Sequence, residues 1–123
     1  MSKVTPPEFE IAHFQWGPGD LPAPTDTTTI SASFKADGGL RLLGYDMGLE
    51  TKKLSGEFDW GYWVDIPFDE LQSTIALLFA LLFEGRDTDL TFDELKSALE
   101  DQGIEYTEGE GPYDAALKRN TPS

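Results

Sequence analysis

The chain has 123 residues, 39 % of them hydrophobic, with 8 Phe, 4 Tyr and 3 Trp, enough to build one core without covalent staples and too much for a disordered chain. The absence of cysteine excludes disulfides, thiolate metal sites and cysteine nucleophiles, and it fits a reducing compartment. Twenty-three acids against nine bases give a net charge of −14, which opposes binding to nucleic acid or anionic membranes and favours a basic partner.

The opening residues, Met1 to Pro7, hold no apolar core of the signal-peptide kind. The longest apolar run opens with Ile75 and closes with Phe83, and its nine residues are about half of a bilayer span. A cytoplasmic location is the expectation.

Residues 8–16 alternate with apolar groups on both faces, as a central or covered strand does. A loop rich in Gly and Pro follows at 17–24 and cannot hold a ladder. Residues 27–36 alternate cleanly, with Thr28, Ile30, Ala32 and Phe34 on one side. Asp37, Gly38 and Gly39 supply a hairpin turn to a partner strand at 40–46. Residues 48–56 read as a polar connection. In the next strand, 57–66, Phe58, Trp60, Tyr62, Val64 and Ile66 form an apolar face. Glu57, Asp59, Gly61, Trp63 and Asp65 form the opposite one, expected to meet solvent.

Two helices are predicted next. Pro67 suits a first helical position, and Asp69 and Glu70 complement the positive end of the dipole. Leu71, Ile75, Leu78 and Leu82 give a core stripe, and Gly85 a C-terminal cap. The second helix opens on a capping box, Thr91 to Glu94, and closes at Gly103. Residues 104–107 suit a short last strand. The predicted fold is therefore α+β: a four- to five-stranded antiparallel sheet in the N-terminal two-thirds, packed by two C-terminal helices. One domain is expected over 1–107, with a polar, flexible tail over 108–123.

Catalytic chemistry finds no foothold. His13 is the single histidine, lies on a strand and has no serine motif beside it, so a packed or edge role is expected. Residues 87–95 resemble the second half of a calcium loop, but the register would put Phe83 and Gly85 at ligand positions. Asp59 and Asp65 lie about 20 Å apart on an extended strand, too far for a glycosidase pair. No phosphate-cradling glycine loop is present. No catalytic residue, metal or cofactor is expected.

Two features point to binding. The run from Ile75 to Phe83 is apolar around the whole helix, so Leu77, Phe79 and Leu81 need cover from the same chain or from a second copy in a homodimer. Residues 57–70 hold five acids and no base, with Trp63 among them. Glu57, Asp59, Trp63, Asp65, Asp69 and Glu70 are thus the candidate partner-binding residues, an aromatic anchor ringed by charge. The bland alternative is a solvated sheet face with Trp63 covered by its own chain. A second acidic band, residues 84–110, has ten acids and two bases.

The segment Leu43-Gly44-Tyr45-Asp46-Met47-Gly48, the strand from Gly56 to Pro67, the apolar helix and the short helix ending at Gly103-Ile104 together resemble small acidic bacterial immunity proteins of contact-delivered toxin systems. The resemblance covers residues 40–107 and lies in layout, with no shared active site to carry over. It implies a non-enzymatic inhibitor that occludes a basic toxin domain, such as a nuclease, through an acidic surface. The rival expectations are a nucleic-acid mimic that blocks a DNA-binding enzyme, and a structural homo-oligomer.

Overall fold

The computed structural model describes residues 8–84 and 89–112. Five strands form one antiparallel sheet in the order β1-β2-β3-β4-β5. They are β1 (Glu8–Trp16), β2 (Asp26–Phe34), β3 (Leu40–Gly48), β4 (Asp59–Ile66) and β5 (Thr107–Gly111). Helix α1 (Leu49–Ser55) joins β3 to β4. A 3₁₀ turn (Phe68–Glu70), α2 (Leu71–Phe83) and α3 (Phe92–Asp101) lie between β4 and β5. The α+β architecture is the expected one.

The hairpin from β2 to β3 turns on Gly38, whose φ of 89° is open to glycine and costly to other residues. Register then sets the faces. Ile30 pairs with Gly44, and Gly44 with Tyr62, so even-numbered positions of β2, β3 and β4 share the helix-bearing side. On that side Ile30, Leu40, Leu42, Val64 and Ile66 pack against Phe92, Leu95 and Leu99 of α3 and against Ile104. Leu71, Leu77, Leu78 and Leu81 of α2 close the same core. β1 carries an irregularity between Glu10 and Ala12 that shifts its pairing with β2.

Four expectations change. Residues 48–56 hold a helix rather than a plain connection. Gly48 (φ 142°) and Gly56 (φ 87°) flank it, and Asp26 on β2 accepts the amides of Glu50 and Thr51 at its first turn. Among the described residues the α-helices are therefore three rather than two. The last strand runs from Thr107 to Gly111, so residues 108–111 belong to the sheet instead of the tail. Its alternation is hidden because Gly109 and Gly111 carry no side chain.

The buried stripe of α2 is also turned from the expected one. Thr74 is fully buried and donates its hydroxyl to the Glu70 carbonyl at 2.8 Å, while Leu82 points outward. A helix that is apolar all round has no polar side to declare its rotation. The predicted cap at Gly85 lies outside the described residues. The capping box at Thr91 and Glu94 is present in both directions.

Candidate functional site

The helix layer covers only part of the sheet. Beyond Ile30 and Leu42 the even-numbered side carries Thr28, Asp46, Trp60 and Tyr62, with Phe14 and Trp16 of β1 beside them, and they line an open hollow of about 830 Å³. Helix α1 contributes Thr51, Leu54 and Ser55, the start of α3 contributes Thr91, Phe92, Asp93 and Lys96, β5 contributes Glu108, Gly109 and Glu110, and Trp63 of β4 borders the hollow as well. Its size falls within the range of small-molecule pockets.

Gly44 makes the floor possible. A Cβ at this position would overlap the Tyr62 ring, so the missing side chain lets that ring lie across β3. The ring meets Phe92 edge-on, with centroids 4.8 Å apart and planes at 71°. Its hydroxyl donates to Asp46 Oδ1 at 2.6 Å. Thr28 donates its hydroxyl to the same oxygen at 2.7 Å, and Trp16 Nε1–H donates to Thr28 Oγ1 at 2.8 Å. Burial, and then the Asp46 carboxylate, push the Tyr62 hydroxyl far above its ordinary pKa, so it remains a donor.

Asp46 thus holds two neutral donors on one oxygen and has no cation beside it among the described residues. Each described base is occupied elsewhere. Lys35 and Arg41 pair with Asp65, and Lys53 pairs with Glu50. Lys96 meets Glu108 at 3.1 Å, and Lys52 donates to the Gly56 carbonyl at 2.8 Å. The hollow is accordingly aromatic in its walls and anionic in its floor, with a rim of Asp93, Glu110 and the Lys96–Glu108 pair.

The opposite face holds part of the expected binding surface, and there the structure corrects the sequence reading. Trp63, expected to meet solvent, is only 5 % exposed and packs against Leu43. Arg41, itself 2 % exposed, lies 5.3 Å above the Trp63 ring. Its Nε and Nη2 donate to the two oxygens of Asp65 at 2.6 and 2.7 Å, and Lys35 adds a contact at 3.5 Å. Gly109 of β5 makes room for the indole, because a side chain there would strike it.

Trp63 and Asp65 are therefore brought together by Arg41, and both are used inside the fold. Asp59 is half-buried and shares their face. Glu57 and Asp69 are exposed in the segments flanking β4. Glu70 accepts the Glu105 amide at 3.0 Å. The six residues form no single continuous patch around an exposed aromatic. Phe58, expected on the buried side, is instead 57 % exposed before β4 begins, with Lys52 Nζ 5.2 Å from its ring centre.

His13 is exposed, with Nδ1 2.9 Å from Thr29 Oγ1. Among the described residues no three His, Asp or Glu side chains gather as metal ligands, and no helix is long and apolar enough to cross a membrane. The residues that sequence reasoning missed are Trp16, Thr28, Gly44 and Asp46. A glycine inside a strand pattern signals close approach of another group, and Gly44 carried that signal. Comparison with protein-family profiles, curated proteins and solved structures gives no significant match.

Proposed function

We propose that this chain is a non-enzymatic binding protein of the immunity type, which neutralises a basic toxin domain such as a nuclease. The recognition surface is the acid-rimmed aromatic hollow and its surroundings, in place of a surface centred on Trp63. The observation that carries the reading is the pairing of six aromatic side chains (Phe14, Trp16, Trp60, Tyr62, Trp63 and Phe92) with Asp46, Asp93, Glu108 and Glu110 around one concavity, where Lys96 is the one described base. Aromatic anchors supply contact area at low entropic cost, and the net charge of −14 steers a cationic partner toward them.

The test is capture from native cell extract at low salt with the tagged full chain, followed by identification of the partner and co-expression with it. The expected result is a basic protein released by moderate salt, whose toxic activity the chain suppresses. The double variant Asp93→Lys/Glu110→Lys should lose both effects. Equal capture and protection by that variant would move the interface elsewhere, and a partner without toxic activity would overturn the inhibitor reading.

A second reading concerns self-association. Phe79 and Phe83 stack on the outer side of α2 with centroids 5.9 Å apart, and they are 58 % and 80 % exposed. A homodimer joined through this helix face would cover them.

A further inference from the structure

The two faces of the sheet present the same chemical grouping with one difference. On one face a tryptophan, an aspartate and an arginine are assembled: Arg41 stacks on Trp63 and forks onto Asp65. On the other face Trp16, Trp60 and Tyr62 surround Asp46, and no described base is paired with it. We propose that the hollow is a receptor for one arginine side chain of the protein partner, whose guanidinium stacks on the aromatic wall and donates to Asp46.

The hydrogen bonding at Asp46 supports this assignment. Its Oδ1 accepts from both Thr28 and Tyr62, which fills that oxygen's capacity and points the carboxylate. Oδ2 is then the acceptor for an incoming N–H. Two hydroxyl donors do not neutralise the negative charge, and a carboxylate half withdrawn from water among aromatic rings favours a cation beside it. Tyr62 cannot supply a proton in its place, because its hydroxyl is held well above its ordinary pKa.

Arginine fits better than lysine. A planar, weakly hydrated guanidinium stacks on aromatic faces and keeps its charge at every accessible pH, whereas an ammonium holds its water more tightly. The rim carboxylates Asp93 and Glu110 suit the outward N–H groups. Lys96 is already drawn to Glu108 at the edge and does not fill the floor.

This inference rests on the reading of the hollow as the partner-binding surface, and its test is separable from that of the reading. The full chain is titrated with acetyl-Gly-Arg-Gly-amide, and with the same peptide carrying citrulline or lysine, while the three indole Nε–H signals are followed by NMR. The arginine peptide should shift Trp16 and Trp60 most, and Trp63, which borders the hollow but is only 5 % exposed, least. Asp46→Asn keeps an oxygen for Thr28 and Tyr62 but removes the charge, and it should weaken the arginine peptide at least tenfold. If that variant folds poorly, Trp60→Leu tests the stacking wall instead and should give a similar loss.

Equal shifts from the citrulline peptide would show that charge is irrelevant and overturn the proposal. Equal or tighter binding of the lysine peptide would overturn the assignment to arginine. A captured toxin that binds Asp46→Asn as tightly as wild type would remove the arginine receptor while leaving the inhibitor reading standing.

Discussion

The Tyr62 hydroxyl reaches Asp46 at 2.6 Å by passing over Gly44, so one absent side chain links the aromatic wall of the hollow to its charged floor. Gly44→Ala should push the ring aside. It is expected to cost about 2 kcal/mol of stability, typical of overpacking at a tight site. Tyr62→Phe keeps the ring and loses one hydrogen bond, so about 1 kcal/mol is expected. Urea unfolding measures both, and a Gly44→Ala protein as stable as wild type would mean that the ring is free to move.

The same tyrosine sets a high-pH limit. Burial and Asp46 raise the Tyr62 pKa, and the hydrogen bond to Glu100, 2.6 Å away, pushes Tyr106 up to about 12. A group whose pKa is raised by folding stabilises the fold below its unfolded value, here 10.0, and that contribution is lost as pH climbs past it. The urea midpoint should therefore fall above about pH 10, and Tyr62→Phe should flatten the fall. Identical alkaline limbs for the two proteins would remove Tyr62 as its cause.

At acid pH the sensitive group is Asp26, which is 2 % exposed. Burial alone would raise its pKa. Donors from Thr25, the amides of Thr51 and Glu50, and the Thr51 hydroxyl outweigh burial and hold it below the ordinary 3.8. Stability from a lowered carboxylate is present above its unfolded pKa and disappears as pH falls through the folded one. Asp26→Ala leaves buried donors unmatched at the start of α1 and should cost about 3 kcal/mol at neutral pH. Asp26→Asn should show a flatter loss of stability below about pH 4, read by circular dichroism.

Arg41 and Asp65 test the reassignment of the second face. Removing one partner of a buried pair is costly, so Arg41→Ala should lose about 3 kcal/mol, and Arg41→Lys should recover little because the fork is lost. Asp65→Asn should likewise lower the unfolding midpoint. A stable Asp65→Asn protein that fails to bind its partner would return this carboxylate to the interface.

Self-association is read by sedimentation. If α2 forms a dimer seam, wild type should sediment as a dimer at tens of micromolar, and Phe79→Asp/Phe83→Asp as a monomer with the same fold. A wild-type monomer across that range would leave these two rings as surface groups.

The sequence by itself determined the antiparallel sheet, the α3 capping box and the absence of cysteine chemistry. Strand alternation, glycine turns and capping are local rules written within a few residues. It also marked β4 as the aromatic strand. Which face of β4 meets water was decided only by tertiary structure. Trp63 and Tyr62 are both large and aromatic, and alternation cannot say that Arg41 waits beside one and Gly44 beneath the other. Those neighbours come from β3 by strand pairing, across more than 15 residues of chain. The rotation of α2 was open for a related reason, since an all-apolar helix becomes oriented only when it docks. The hollow gathers residues from β1, β2, β3, β4, β5, α1 and α3, and its chemistry exists only once the register has brought them together.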